Sequence, residues 1–434
     1  MKVGLVCFDF TRRNLPLQPW RYIYEVASRM ALRGMDVEVI SDRPEGYTKS
    51  DDVCGIHITY VRRFHPLSRN EDLMKLIQEM SPDILFLSMG PTSIYFMHLL
   101  RECRMPVVGM WTGTIYDLRY ILGLGMGEFC RNYGSLYLHA ISSVMPKRAV
   151  RHLLGSPNLK RIVVLNESSK RKVKGYGFPE SAISVIPPGI TAEDLIMPEF
   201  DEVKELKNRL NIDDRDFVVL YLGSPLTLRG TDVLIDASSR AHKSIFSLKL
   251  LLLSRHLKRD DSSVCDPPSK QGSFNPSATE MLHDISSGCD HLTRDEMHIE
   301  RLIKAKGIDN FVKVLPGFLA KSDLKRLICL SDVVALPFKL LQSDAPISIL
   351  EAMALGRPVI STKIGGIPEM LGGGRGLLVA PNDPEDLSDA IISLYENPDL
   401  RKVMGARARA YMLRYCDWDD VAEKTIRAIK EITD

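Results

Sequence analysis

The sequence lacks a strong charge of either sign, and it lacks any long uninterrupted hydrophobic run. Its 57 Lys and Arg residues nearly balance 55 Asp and Glu residues, which gives a formal net charge of +2. This balance provides no bulk field for nucleic acid, and no nucleic-acid-binding module is recognisable. No stretch approaches the roughly 18 apolar residues that span a bilayer, and the short apolar run after Lys2 is not typical of a signal peptide. We therefore expect a soluble, cytoplasmic protein.

Several motifs that would fix a class of chemistry are also missing. The eight cysteines are scattered without a C-x-x-C pair, and several lie in apolar stretches, which is typical of reduced, buried thiols in a cytosolic protein. Neither a G-x-G-x-x-G fingerprint nor a Walker loop occurs. The pair Asp417 and Asp419 flanks Trp418 beside a predicted helix rather than a plausible metal site. We expect no metal and no cofactor.

What the sequence does contain is an alternation of short apolar runs and longer helical patterns. With 434 residues, of which 45% are hydrophobic, it predicts two or three domains with substantial cores. We predict strands over residues 3–7, 37–40, 84–87, 107–110, 162–165, 184–186, 217–222, 248–253, 312–315, 333–336, 358–361 and 376–379. Continuous apolar strands are typical of parallel sheets that crossover helices cover on both faces. The fold class expected is therefore doubly wound α/β.

The segment Ile186-Pro187-Pro188-Gly189 marks the expected domain boundary, because it can continue neither a helix nor a central strand. We predict an N-terminal domain over residues 1–188 and a C-terminal domain over residues 189–415. A final helical segment, 416–434, is expected to pack back toward the N-terminal domain, with Trp418 as an anchor. Helices are also predicted over residues 21–33 and 204–210.

Residues 256–297 differ from the rest because they are rich in Ser, Asp, Pro and Lys and show little periodicity. Such a segment buries too little apolar surface to offset its ordering entropy, so we interpret it as a partly disordered surface insertion. It contains Cys265, His283, Cys289 and His291. Their spacings match no standard zinc pattern, which favours a solvated loop over a metal site.

One candidate binding element is the helical run that contains Glu351. It follows a loop with Asp344 and Pro346, and it is expected to end at Gly356 before a buried strand. Loops at the carboxyl ends of strands line the ligand crevice of open α/β sheets. A carboxylate there can accept hydrogen bonds from two sugar hydroxyls, although an ordinary solvated helical glutamate is the competing interpretation.

Two more candidate elements follow predicted strands of the same domain. Gly223 ends one strand, and Arg229 follows it with a planar fork of donors suited to a diphosphate. Gly365 and Gly366 follow another strand, where adjacent glycines let backbone N–H groups face a phosphate. Each could be an ordinary turn, but three such loops at strand ends of one domain predict one shared crevice.

These residues resemble the family-4 retaining glycosyltransferases of the GT-B fold. The resemblance covers nearly the whole chain apart from the insertion and is strongest over residues 217–379. The matching segments are residues 3–40, 185–190, 221–223, 229–234, 314–318, 331–337, 350–356, 358–362, 365–369 and 376–379. It implies two Rossmann-like doubly wound domains that face each other across a cleft, and transfer of a sugar from a nucleotide-sugar donor to a glycan or lipid-linked acceptor with retention of configuration.

The resemblance also implies residue roles. Glu351 would hold the donor ribose, Arg229 the diphosphate, and the loop at 344–348 the sugar and phosphate. The candidate catalytic residues are Asp344, Thr112 and Glu351. The candidate donor-binding residues are Gly223, Ser224, Arg229, Ser348, Glu351, Gly365, Gly366 and Glu369.

Three positions depart from the family pattern. Ser343 stands where the family places a Glu, Ser224 where it places an Arg, and Thr112 where it places a His. Asp344 is a candidate to replace the missing Glu through a shift of one residue. The alternatives are a silent GT-B module that binds a sugar nucleotide or a partner, and another GT-B enzyme such as a sugar-nucleotide epimerase.

A basic stretch between residues 147 and 174 is opposed only by Glu167. Basic residues near an anionic bilayer contribute about 1 kcal/mol each, so this stretch predicts peripheral contact with the inner membrane face, with a solvated helix face as the alternative. The residues proposed for this contact are Lys147, Arg148, Arg151, Lys170, Arg171, Lys172 and Lys174.

Overall fold

A computed structural model describes residues 1–11, 14–15, 17–43, 50–53, 55–223, 226–254, 294–316 and 319–433. The chain forms two compact units. The first contains Met1–Thr191, Leu341–Pro346 and Cys416–Asp434, and the second contains Ala192–Leu340 and Ile347–Tyr415. Most of the insertion expected at 256–297, with its Cys and His residues, lies outside the described residues.

The first unit is built on an eight-stranded sheet in the order β3-β4-β2-β1-β5-β6-β7-β8. Its strands are β1 Lys2–Cys7, β2 Asp36–Arg43, β3 Ser50–Val53, β4 Ile56–Arg62, β5 Ile84–Met89, β6 Val107–Trp111, β7 Leu159–Val164 and β8 Ile183–Val185. Its helices up to residue 191 are α1 Trp20–Leu32, α2 Glu71–Met80, α3 Met97–Glu102, α4 Leu118–Gly123, α5 Met126–Arg131, α6 Tyr133–Val144, α7 Lys147–Leu154 and α8 Glu167–Gly175. Strands β1 and β5 are buried along almost their whole length, which is typical of strands that helices cover on both faces.

Strands β3 and β4 were not predicted. In β4, buried Ile56, Ile58 and Tyr60 alternate with more exposed His57 and Thr59, which is the period-two pattern of a half-covered strand rather than a continuous apolar run. Strand β3 is polar and lies at the sheet edge, where it pairs antiparallel to β4. The predicted parallel sheet of this unit therefore carries one antiparallel strand at its edge.

The second unit is built on a parallel six-stranded sheet in the order β11-β10-β9-β12-β13-β14. Its strands are β9 Phe217–Gly223, β10 Leu248–Ser254, β11 Val312–Pro316, β12 Val333–Leu336, β13 Val359–Thr362 and β14 Gly376–Val379. Its described α-helices are α9 Phe200–Arg209, α10 Thr231–Ala241, α11 Arg294–Lys306, α12 Lys321–Leu330, α13 Ile347–Ala354, α14 Ile367–Leu371, α15 Pro384–Glu396 and α16 Pro398–Met412. Because α11 begins at Arg294, the last residues of the predicted insertion are helical.

The strand order reverses between β9 and β12, which are neighbours although two strands separate them in sequence. Such a reversal leaves an open crevice beyond the carboxyl ends of the two strands, because their following helices cover opposite faces of the sheet. The loops after β9, β12 and β13 therefore occupy adjacent positions along one edge of this sheet.

The last helix, α17 Trp418–Thr433, belongs to the first unit and packs on α1 and β7. Trp418 is its first residue and is buried, and the indole meets the ring of Tyr22 edge-on with centroids 5.8 Å apart. Asp419 forms ion pairs with Arg29 and Arg33 of the α1 region. Apolar packing and charge pairing thus hold this helix in the first unit.

The segment Leu341–Pro346 also belongs to the first unit, although the residues before and after it belong to the second. The sequence pattern predicts that it lies in the C-terminal domain, because its neighbours on both sides follow the pattern of that domain. The reason for the difference is a buried set of hydrogen bonds around Asp344, described below.

No helix within the described residues has the length and apolar character of a membrane span. The same residues contain no cluster of three or more His, Cys, Asp or Glu side chains that could hold a metal ion.

Candidate functional site

The carboxyl end of β9 brings Gly223 and Arg229 together. A Cβ on Gly223 would lie 2.9 Å from Nε of Arg229, so glycine leaves room for the guanidinium beside the strand end. The guanidinium carbon lies 5.0 Å from the ring centroid of Phe338, the second residue after β12. Nε of Arg229 is buried and has no hydrogen-bond partner among the described residues. The guanidinium of Arg229 is thus held at the switch point, where the strand order reverses between β9 and β12. At least one of its N–H donors is left for a ligand.

Lys339 adds a second cation at the end of β12. Its side chain is only 4% exposed, and Nζ lies 2.7 Å from Oδ2 of Asp232 in the first turn of α10. The backbone N–H of Lys339 donates to the carbonyl of Leu228, directly before Arg229. A Cβ on Gly230 would lie 1.9 Å from the carbonyl oxygen of Pro337, so the two loops pack backbone to backbone.

Helix α13 supplies Ser348 and Glu351. Ser348 lies in the first turn, is buried, and its hydroxyl has no partner among the described residues. Unpaired backbone N–H groups at a helix N-terminus, together with a free hydroxyl, are suited to an anionic group. Glu351 lies one turn further along and is partly exposed.

The loop after β13 carries Gly365 and Gly366. Gly365 has a φ of +54°, a left-handed conformation that glycine adopts without strain, and Gly366 caps the short helix α14. Glu369 lies in α14 and is exposed. These residues follow the strand next to β12, as the sequence predicts. Ser224 lies outside the described residues.

The second unit therefore gathers two cations, a buried hydroxyl, a helix N-terminus and two glycines beyond the carboxyl ends of three adjacent strands. Asp232 already pairs with Lys339, so Arg229, the hydroxyl, the helix N-terminus and the glycines are the features that favour an anionic ligand, and Glu351 is the carboxylate predicted to bind hydroxyls beside them. The arrangement can bind a phosphorylated ligand that also carries hydroxyl groups.

Asp344 lies in the first unit and is fully buried. Oγ1 of Thr114 donates to Oδ1 at 2.6 Å, and Oγ of Ser169 donates to Oδ2 at 2.5 Å. The backbone N–H of Asp344 donates to the carbonyl of Thr112 at 2.8 Å. Burial raises the pKa of the Asp344 carboxyl, while the hydrogen bonds from Ser169 and Thr114 and the charge of Lys172 oppose that rise.

Two of the three predicted catalytic residues, Thr112 and Asp344, thus meet through their backbones. Thr112 is itself buried at the end of β6. The next residue, Gly113, allows close approach, since a Cβ there would lie 3.1 Å from the carbonyl oxygen of Gln342. Glu351 belongs to the second unit, so the three residues do not form one cluster within either unit.

Sequence reasoning missed several polar residues that the fold brings to these places. In the second unit these are Lys339 and Asp232. In the first unit they are Thr114, Asn166, Ser169 and Lys172. Lys339 could have been found, because a lysine three residues after a predicted buried strand lies at the same sheet edge as Arg229. Thr114, Asn166 and Ser169 carry no local signal, since their common partner Asp344 lies at least 175 positions away in sequence.

Two family models match the chain. The model of "Glycosyltransferase Family 4" matches residues 20–194, and that of "Glycosyl transferases group 1" matches residues 293–411. The first match falls in the first unit apart from its last three residues, and the second runs from α11 into α16, so it leaves out β9 and β10 of the second unit. The chain belongs to the family 4, group 1 glycosyltransferases.

Relatives within this family are distant in sequence. A D-inositol 3-phosphate glycosyltransferase of Corynebacterium jeikeium is 28% identical over 277 residues, which are 62% of this chain and 57% of the relative. A second, of Corynebacterium urealyticum, is 25% identical over 60% of this chain and 53% of its own length. The chain therefore spans little more than half the length of these relatives. An uncharacterized glycosyltransferase of Methanocaldococcus jannaschii is 22% identical over 99% of this chain and 98% of its own.

Solved structures show the fold. Sucrose-phosphate synthase from Thermosynechococcus elongatus superimposes with a TM-score of 0.69 at 15% identity, over 99% of this chain and 98% of the other. HepE from Anabaena, in complex with UDP and glucose, gives 0.65 at 16% identity over 99% of both chains. The fold is therefore GT-B.

Proposed function

We propose that this protein transfers a sugar from a nucleotide-sugar donor to a glycan or lipid-linked acceptor, with retention at the anomeric carbon. The observation that carries the proposal is the anion-binding group at the β9–β12 switch point. There Arg229 keeps a buried, unpartnered Nε, and Ser348 keeps a buried, unpartnered hydroxyl. Both atoms belong to loops beyond the carboxyl ends of neighbouring strands, which is where open α/β sheets bind ligands, and this position supports the proposal.

The chemistry of sugar transfer requires this kind of site. The leaving group is a nucleoside diphosphate, so negative charge develops on its oxygens as the glycosidic bond breaks. Arg229, the N-terminus of α13 and the glycine loop at Gly365 would stabilise that charge, and one well-placed donor contributes on the order of 3 kcal/mol. Glu351 would hold the two ribose hydroxyls. No metal or other cofactor is needed for these roles.

The comparisons support the same substrate class. Relatives carry the name D-inositol 3-phosphate glycosyltransferase, and the HepE structure contains UDP and glucose. We propose a nucleotide sugar as the donor on this basis.

A silent GT-B module that binds a sugar nucleotide without turnover is the second candidate. One observation favours it: the carboxylate predicted to replace the family's missing Glu is fully buried with both oxygens hydrogen-bonded. Such a module would bind the donor and transfer nothing.

A thermal-shift screen against UDP-, GDP- and ADP-sugars, followed by product analysis, tests both candidates. A donor at 100 times its Kd should stabilise the protein by about 2.7 kcal/mol. Transfer to an acceptor with retained anomeric configuration, read by NMR, supports the enzyme. Binding without transfer or donor hydrolysis supports the silent module. No shift with any nucleotide sugar overturns both.

We also propose that the protein is cytoplasmic and that its first unit contacts an anionic membrane surface. Lys147, Arg148 and Arg151 are exposed on α7, and exposed Val144 precedes them. The remainder of the proposed patch is weaker than the sequence indicates. Lys170 and Lys174 both pair with Glu180, and Lys172 donates to Thr114.

Sedimentation with vesicles tests this contact. Binding to vesicles that contain anionic lipid should fall when Lys147, Arg148 and Arg151 are replaced together by Gln. The control replaces Lys170 and Lys174 by Gln; both lysines pair with Glu180, which offsets one of their two charges. Equal sedimentation with neutral and anionic vesicles would remove the proposal.

A further inference from the structure

Every polar group of Asp344 is used inside the first unit. Beyond the two carboxylate bonds and the backbone N–H, its carbonyl accepts from Nδ2 of Asn166 at 3.2 Å. Asn166 caps helix α8, since its Oδ1 accepts from the N–H of Ser169 at 2.8 Å. One asparagine therefore ties Asp344 to the start of α8.

The direction of the Thr114 bond is also fixed. Nζ of Lys172 donates to Oγ1 of Thr114 at 2.9 Å. Because an ammonium group has no acceptor, the Thr114 hydroxyl uses its own hydrogen toward Asp344. Lys172, Thr114 and Asp344 form a chain of charge-assisted hydrogen bonds, which are stronger than neutral ones.

The same segment is held at a second point. The backbone N–H of Leu341 donates to the hydroxyl of Tyr116 at 2.9 Å. Leu341–Pro346 is thus fixed near both ends, and α13 begins at Ile347 directly after it. Ser343, beside the anchored residue, has a buried hydroxyl with no partner among the described residues.

We infer that Asp344 is a positioning residue, which anchors the Leu341–Pro346 segment through Thr114, Ser169 and Asn166, and does not itself touch the reactants. A carboxylate with no exposed surface and two hydroxyl donors does not reach a sugar without breaking the anchor. What the anchor holds in place is the hydroxyl of Ser343 and the entry of the chain into α13. The effect on turnover rests on the proposed function, whereas the anchor itself does not.

The matched pair Asp344→Asn and Asp344→Ala separates the two roles. The amide of Asn can accept from one hydroxyl and donate to the other, so it keeps the anchor without the charge. Alanine removes both bonds. Hydrogen exchange of the ligand-free full chain, read over peptides that cover residues 341–346, measures the anchor directly.

We expect Asp344→Ala to lose amide protection over 341–346 and to lower kcat by about 100-fold, since a misplacement of about 1 Å can cost this much. Its Kd for UDP or GDP, whichever binds the wild type, should change less than its kcat, because Arg229 lies on the loop after β9, which the anchor does not hold. Asp344→Asn should retain protection and stay within about tenfold of wild-type kcat.

An inactive Asp344→Asn with intact protection would overturn the inference, because the carboxylate would then act chemically. Unchanged protection in Asp344→Ala would also overturn it. Should that variant fail to fold, Ser169→Ala removes one bond and leaves the carboxylate, and faster exchange over 341–346 is expected. If the wild type transfers no sugar, the proposed function fails, and hydrogen exchange still decides the anchor.

Discussion

Nζ of Lys339 lies 2.7 Å from Oδ2 of Asp232, and the lysine side chain is almost completely buried. Replacing Lys339 by Met leaves Asp232 without its counter-charge. Breaking a buried pair in this way costs about 3–5 kcal/mol, and the 23% exposure of Asp232 favours the lower end. We therefore expect Lys339→Met to lower the free energy of unfolding in urea by about 3 kcal/mol.

The double variant Asp232→Asn/Lys339→Met serves as the control for this pair. It removes both charges, so its loss of stability should be clearly smaller than the sum of the two single losses. Additive losses would show that the pair contributes no coupling.

Arg229→Ala should weaken the binding of a nucleoside diphosphate. A hydrogen bond to a charged group contributes about 1.5–3 kcal/mol, which corresponds to about 10- to 100-fold in Kd. Arg229→Lys should recover part of this loss, because it keeps the charge but not the planar fork. Arg240→Ala, an exposed position on α10, is the matched control in calorimetry. Normal affinity in Arg229→Ala would refute its role.

Glu351→Gln should lower affinity only for nucleotides that present ribose hydroxyls. The amide can accept one hydrogen bond but not two charge-assisted ones, so we expect a loss of about 10-fold or more in Kd for UDP or GDP. A 2′,3′-dideoxy analogue should bind wild type and variant alike. Glu396→Gln, at an exposed position on α15, controls for the loss of charge. Equal losses for the ribose and dideoxy ligands would place Glu351 elsewhere.

Much of the fold could be predicted from sequence because parallel strands covered on both faces are continuous apolar runs. Strands such as Val333–Leu336 and Gly376–Val379 have the predicted bounds, and others differ by one to three residues at an end. Strand β4 could not be found by that criterion, because only every second side chain is buried.

The candidate site, like the fold, could be predicted only in part. Arg229, Gly365 and Ser348 follow strand ends of one sheet, so local pattern and sheet geometry predict their common edge. The position of Asp344 could not be predicted, because it depends on hydroxyls 175 and 230 residues away and not on its neighbours. A carboxylate in a loop next to Ser343 has the same local sequence whether it binds a substrate or anchors the loop.

His139 on α6 provides a prediction about acid stability. The ring is buried, Nδ1 has no partner among the described residues, and the ring of Tyr116 packs edge-on at 5.7 Å. Burial lowers the pKa of His139 from 6.5 to about 4. The unfolded chain therefore binds a proton below pH 6.5 that the folded chain does not accept until about pH 4, so the free energy of unfolding falls as pH falls through this range. Between pH 7 and pH 5 this contribution is about 2 kcal/mol.

Urea unfolding at pH 7 and pH 5 measures this contribution. The loss in the free energy of unfolding should be smaller by that amount in His139→Gln, whereas His65→Gln, at an exposed position, should keep the wild-type pH dependence. If His139→Gln and the wild type lose stability in parallel, His139 must be able to take up its proton in the folded state.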